Sequence, residues 1–138
     1  RDNGRTPMQW DNTTHAGFTT GKPWLAVHKN HNVLNVQEQE SRPDSVLNYF
    51  RKMIQLRKQC DTLIYGAFEL IDVNNSQIIA YTRQLDKEKL LVVLNFSDSL
   101  AELNTTIDLR NSTILISNYE QTAKDRVYRP YEAVIYQL

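Results

Sequence analysis

The chain changes character near Asp61, and that change limits its fold more than any single motif does. Before it lie a long irregular stretch and one amphipathic helix; after it the pattern is strands. Any fold for this chain must therefore pass from loop to helix to an antiparallel β domain.

The helix is predicted over residues 44–60, DSVLNYFRKMIQLRKQC. Val46, Tyr49, Phe50, Met53, Ile54 and Arg57 recur with a 3.6-residue period, and Leu47 and Leu56 widen the apolar face. Asp44 or Ser45 can cap the first turn by accepting from free backbone N–H groups. Arg57 and Lys58 place cations in the last turn, where the helix dipole favours them.

From residue 62 onward, β-branched and apolar runs alternate with turn residues at roughly 8–12-residue intervals, the rhythm of a β-sandwich or barrel. The runs are GAFELIDV, QIIAYTRQL, KLLVVLNFS, AELNTTIDL, STILISNY and YEAVIYQL. Asn74-Asn75-Ser76 and Asp86-Lys87-Glu88 suit hairpin turns. Leu90 to Leu94 is almost wholly apolar and is expected as the central strand, buried on both faces. About six or seven such strands can close a small core. Ala133 to Leu138 is strand-like and ends the chain without a tail, which reads as a natural C-terminus.

Residues 1–43 are punctuated by Pro7, Gly17, Gly21, Pro23 and Pro43. A loop of ~40 residues is too long for a compact domain unless it is functional. It also carries Trp10, Phe18 and Trp24, and large aromatics need a surface to pack against. Few partners are evident in this chain, so part of the molecule is expected to lie outside it.

Charge and cysteine content narrow the partners. The formal net charge is zero, which argues against a nucleic-acid arm or a polybasic membrane anchor. No apolar run approaches the ~18 residues of a membrane span. Cys60 is alone, and a reducing, cytoplasmic setting is the simplest reading. Asn-x-Ser/Thr triplets begin at Asn12, Asn74, Asn95, Asn104 and Asn111; in a chain rich in Asn and Thr these read as composition.

Residue types alone supply no convincing catalytic centre. His28 and His31 form an H-x-x-H pair without the further ligands a metal site needs, and read as an exposed loop pair. Cys60 has no activating histidine nearby in sequence and reads as a structural thiol. Lys52, Arg57 and Lys58 read as a solvated helix face. Acid/base hydrolysis needs two carboxylates at a fixed separation; Asp2, Asp11 and Asp44 are candidates, but their spacing fixes no pair. Neither a Ser-His-Asp arrangement nor a Gly-rich phosphate loop stands out. No cofactor or metal is expected. Arg1 and Arg5 offer planar forks of donors suited to a carboxylate or to sugar hydroxyls, and the plainer reading is ion pairing with Asp2, Asp11 or groups of a barrel.

The opening string adds what chemistry cannot. RDNGRTPMQWDN, followed by AGFTTGKPW, resembles a signature in the last third of bacterial α-glucosidases of the α-amylase superfamily. The likeness is to the oligo-1,6-glucosidase and dextran glucosidase group, with trehalose-6-phosphate hydrolases as close relatives. It continues through SVLNYFRKMIQLRK, YGAFEL, IIAYTR, KLLVVLNFS, ISNY and RPYEAVIY. VHKNHN stands where relatives often carry a sequence such as VNPNY, which places the two histidines on a variable loop.

The resemblance implies a chain that begins inside a longer protein. Residues 1–61 would be the tail of a (β/α)8 catalytic barrel, its last βα loop and last helix, and residues 62–138 an antiparallel β-sandwich. It implies a retaining double displacement with an aspartate nucleophile, a glutamate acid/base and a second aspartate on the distorted sugar, all upstream of the opening arginine. The fragment alone is therefore expected to be inactive. Arg1 matches the arginine that holds the non-reducing-end glucose and is the single substrate-binding residue that carries over. The implied substrates are α-1,6-linked gluco-oligosaccharides, with α-1,4 linkages as a second option, and the implied partner is the missing barrel. Alternatives are a trehalose-6-phosphate hydrolase, a non-catalytic carbohydrate-binding β domain, and the ectodomain of an amino-acid transporter heavy chain. Tyr65, Phe68, Tyr81, Phe96, Tyr119, Tyr128, Tyr131 and Tyr136 fall in or beside strands and read as core and interface before sugar platforms.

Overall fold

A computed structural model describes residues 3–122 and 125–138. The chain divides into two compact units, one up to Lys52 and one over Met53–Leu138.

In the first unit the expected long loop is not featureless. It contains three short 3-10 turns, at Asn3–Arg5, Thr14–Gly17 and Lys29–Asn32, and a six-residue helix α1, Val36–Ser41. Periodicity could not reveal α1, because its signal is a cap: the Asn35 carboxamide oxygen accepts from Glu38 N–H at 2.8 Å. Asn35 is buried, and its Nδ2 donates to His31 O at 2.8 Å. Helix α2, Val46–Gln59, lies where the apolar period predicted it. Of the two proposed caps, Ser45 is the one used, its Oγ accepting from Asn48 N–H at 3.2 Å. Asn48 Nδ2 in turn donates to Gln39 O and Arg42 O, each at 2.9 Å, locking the α1–α2 connection. None of the apolar face of α2 is buried; Val46 is 79% and Phe50 57% exposed.

The second unit is an antiparallel β-sandwich. After a short helix α3, Thr62–Tyr65, come β1 (Ala67–Ile71), β2 (Ile78–Leu85), β3 (Glu88–Asn95), β4 (Ala101–Glu102), β5 (Thr113–Ser117), β6 (Val127–Tyr128) and β7 (Ala133–Gln137). One sheet runs in the order β1-β2-β3-β7-β5, the other pairs β4 with β6. β3 is the central strand, as its composition predicted, and Leu90, Leu91, Val92 and Val93 are all buried. Leu91 and Val93 face the core shared with Ile78, Ala80, Ala101, Leu103, Leu109, Tyr128, Val134 and Tyr136. Burying each of the Leu, Ile and Val side chains among these contributes about 1.5–3 kcal/mol before entropy is counted. Turn chemistry sets the register. Asn75 Oδ1 accepts from Gln77 and Ile78 N–H at 3.0 Å, closing the β1–β2 loop. A turn at Asp86-Lys87, with Asp86 at φ 50°, joins β2 to β3.

One expected strand is corrected. In the run AELNTTIDL only Ala101–Glu102 pairs; the remainder is an irregular segment that still buries Leu103 and Leu109. Its apolar spacing reports burial, and its Asn and Thr residues favour side-chain bonds over a ladder, as where Thr105 Oγ1 accepts Ile107 N–H. β6 escaped the strand pattern because it is two residues long.

Candidate functional site

The opening segment is held by backbone geometry rather than by a core. Trp10 N–H and Asp11 N–H both donate to Ala16 O, at 2.9 and 3.3 Å. That reversal needs positive φ at three successive residues, His15, Ala16 and Gly17. Gly17 is obligatory, since an added Cβ would lie 2.5 Å from Asp11 Oδ2. Gln9 O and Trp10 O then accept Val36 N–H and Gln37 N–H at 2.9 Å, so the segment is stitched to the first turn of α1. Pro7 is buried, while Met8, Trp10, Phe18 and Trp24 project outward.

The expected site residues fare unequally. Arg1 and Asp2 lie outside the described residues. Arg5 sets its guanidinium 4.8 Å above the Trp24 ring, and among the described residues it meets no carboxylate. Asp11 is occupied by Thr13, accepting from its hydroxyl at 2.6 Å and its N–H at 2.9 Å. The Thr13 hydroxyl bond is the main cause of an Asp11 pKa below the ordinary aspartate value. Asp44 is exposed and 3.7 Å from Arg42. Asp11 and Asp44 each bond locally, so no acid/base pair forms from them.

His28 and His31 bond within their own turn: His28 Nδ1 lies 2.6 Å from Asn30 Oδ1 and His31 Nδ1 3.1 Å from His28 O. Among the described residues no group of three or more His, Cys, Asp or Glu could hold a metal ion. Cys60 Sγ lies 3.7 Å from Glu88 Oε2, beside the Thr62 hydroxyl that donates to the same oxygen. Arg57 donates to Leu63 O at 2.6 Å. Among the described residues no helix is long and apolar enough to cross a membrane.

Two surface features were not legible beforehand. An apolar groove of about 510 Å³ is lined by Pro7, Met8, Leu34, Val36, Val46 and Phe50 among others. A smaller polar groove of about 340 Å³ is lined by Thr6, Gln9, His28 and Asn30. In the second unit the strand aromatics divide as expected in part: Tyr128 and Tyr136 are buried, while Phe68 and Phe96 are exposed and Phe68 stacks on Tyr81 at 4.9 Å.

The Asn-x-Ser/Thr triplet at Asn95 is a structural device. Asn95 is buried, its Nδ2 donates to Ser99 O and Arg129 O at 2.8 Å, and its Oδ1 accepts Ser97 N–H at 2.9 Å. Arg129 forks onto buried Glu132, with Nε and NH2 at 3.1 and 3.0 Å, and stacks 3.9 Å from the Tyr119 ring. Burial alone would raise the Glu132 pKa; the Arg129 side chain and backbone N–H outweigh it, and the net direction is down.

Comparison with known proteins accounts for the two-part order. The α-amylase catalytic-domain family matches residues 1–66, and the maltogenic amylase C-terminal-domain family matches residues 68–129. The chain is 43% identical to an oligo-1,6-glucosidase of Bacillus cereus, with all of the chain aligned to 26% of that protein. It is 37% identical to a trehalose-6-phosphate hydrolase of Bacillus subtilis, again across the whole chain and 26% of the relative. The solved trehalose-6-phosphate hydrolase of Bacillus licheniformis superposes with a TM-score of 0.89 at 34% identity, covering 99% of this chain and 26% of that one. The isomaltulose synthase of Klebsiella sp. LX3 superposes at 0.87 with 38% identity, over 99% of this chain and 25% of that one. The chain thus spans about a quarter of the length of these relatives. Its first 66 residues match the α-amylase catalytic domain and residues 68–129 a C-terminal domain, so the chain spans the end of the one and the β-sandwich of the other.

Proposed function

We propose that the protein containing this chain is a cytoplasmic, retaining α-glucosidase that removes glucose from the non-reducing end of α-1,6-linked gluco-oligosaccharides, with α-1,4 linkages as secondary substrates. The observation that carries this reading is the match to an oligo-1,6-glucosidase at 43% identity across the whole of the chain. The catalytic carboxylates of a double displacement would come from the part of the barrel outside this chain. Arg1 would fork onto hydroxyls of the terminal glucose, a role suited to its rigid, permanently charged donors. Residues 1–61 would complete the barrel and residues 62–138 would form the supporting domain.

A trehalose-6-phosphate hydrolase is the second reading, favoured by the superposition on the Bacillus licheniformis enzyme. One assay separates the two: glucose release by the full-length protein from isomaltose and from trehalose 6-phosphate. Release from isomaltose is expected, with Arg1→Ala lowering kcat/KM and the 138-residue chain alone inactive. Release from trehalose 6-phosphate alone would replace the first reading by the second, and turnover by the isolated chain would sink the assignment of chemistry to the missing barrel.

A further inference from the structure

A guanidinium holds its donors in one rigid plane, so it grips a ligand only as well as that plane is aimed. The proposed function gives such a grip to Arg1, and the backbone that carries it must therefore be fixed. Downstream the segment is firmly anchored. Pro7 is buried, and the carbonyls of Gln9 and Trp10 accept Val36 and Gln37 N–H at 2.9 Å. Gln9 Nε2 also donates to Leu34 O. These anchors act on residues 7–10 and stop short of the 3-10 turn Asn3–Arg5.

Arg5 closes that turn and ties it down. Its guanidinium lies 4.8 Å from the centroid of the Trp24 ring, inside the ~6 Å reach of a cation–π contact. Packing does not hold the turn at Gly4, where an added Cβ would meet nothing within 4 Å. Pro23 precedes Trp24 and stiffens the backbone that presents the indole. The stack joins two points of the chain 19 residues apart, so the turn is fixed against a second segment. It does not depend on Trp24 staying open: covering the indole removes competing water and strengthens the contact.

We propose that Arg5, stacked on Trp24, is a positioning residue for Arg1: by fixing the turn that follows Arg1 it aims the Arg1 fork at the terminal sugar. The role rests on the reading of Arg1 as the substrate contact; the stack itself rests on the geometry of Arg5 and Trp24. Arg5 acts through Arg1 and needs no contact of its own with the substrate. Its charge and its flat face both count, the one for attraction to the ring and the other for a defined orientation on it.

The test is a pair of double-mutant cycles on kcat/KM of the full-length protein, run with whichever of isomaltose and trehalose 6-phosphate it cleaves. Arg5→Ala and Trp24→Ala are each expected to lower kcat/KM about tenfold, and together no further than either alone, since both remove one stack. Trp24→Phe, which keeps a ring face, is expected to retain most of the activity. In an Arg1→Lys background no planar fork remains to be aimed, and Arg5→Ala is expected to cost less than about twofold. A merely structural role gives the same fold loss in both backgrounds. That result, or an unchanged kcat/KM in Arg5→Ala, would overturn the positioning role and leave the Arg1 reading standing. Arg1→Lys without effect would overturn the Arg1 reading and the positioning role with it. Cleavage of trehalose 6-phosphate alone changes the substrate reading and leaves both cycles intact; cleavage of neither substrate would overturn both.

Discussion

The two units solve opposite problems. Over Met53–Leu138 the chain closes its own core, with Leu90, Leu91, Val93, Leu103, Val134, Tyr128 and Tyr136 at or near zero exposure. Among the described residues up to Lys52 the buried ones are Pro7, Ala16, Asn35 and Ser45, none of them large and apolar, while Trp10, Phe18, Trp24, Val46 and Phe50 are exposed. The first unit is ordered by side-chain caps and backbone reversals, the second by hydrophobic burial. A segment with the aromatic content of a core and the hydrogen bonding of a loop is what remains when the rest of its core lies elsewhere. This agrees with a chain that matches a quarter of its relatives' length.

The sharpest way to break this contrast is a pair of truncations. Leu91→Ala should cost about 2–5 kcal/mol in denaturant unfolding of the chain, because it empties a closed core. Phe50→Ala should cost no more than about 0.5 kcal/mol in the chain, since the ring is already exposed there. In the full-length protein the same Phe50→Ala change is expected to cost about 3–5 kcal/mol, as a buried aromatic does. A Phe50→Ala penalty as large in the isolated chain as in the whole protein would show that the first unit has a core of its own.

The next effect sharpens the role of polar order in the first unit. Asn35→Ala removes the cap of α1 and the bond to His31 O, and should cost about 1–2 kcal/mol. Hydrogen exchange at the Glu38 amide reads it directly: protection should fall there and stay constant at the β3 amides. Loss at both places would mean that the units unfold together.

The smallest effect concerns acid. Glu132 has a lowered folded pKa, so it binds protons less readily in the native state than in the unfolded chain. Its contribution to stability is complete above the ordinary glutamate value of ~4.3 and is lost as pH falls through the lowered one. Glu132→Gln should therefore lower stability at neutral pH and flatten its decline below about pH 4. Urea midpoints collected from neutral to acid pH give the comparison, and parallel curves for the two proteins would remove Glu132 from the account.

Much of this was readable in advance where one physical signal dominated. The 3.6-residue period located α2, because a regular stripe of Phe50, Met53 and Ile54 has no other economical explanation. The run Leu90–Leu94 gave the central strand, because only a strand covered on both faces is apolar throughout. The string from Arg1 to Asn12 pointed to the superfamily through its order of residues, although no chemistry in it was complete.

The candidate site was less legible. Arg5 was read against carboxylates close to it in sequence, and its contact with Trp24, 19 positions further along the chain, was not foreseen. The reversal at His15–Gly17 depends on backbone dihedrals and on the space beside Asp11, neither of which a pattern of residue types records. The groove joining Thr6 and Gln9 to His28 and Asn30 depends on contacts across about 20 residues, and such contacts have no period. Local propensity and hydrophobic repeat thus determined which segments are helix and strand. Tertiary structure alone decided which apolar faces are covered and which polar side chains meet, because burial and convergence are properties of chains brought together in space.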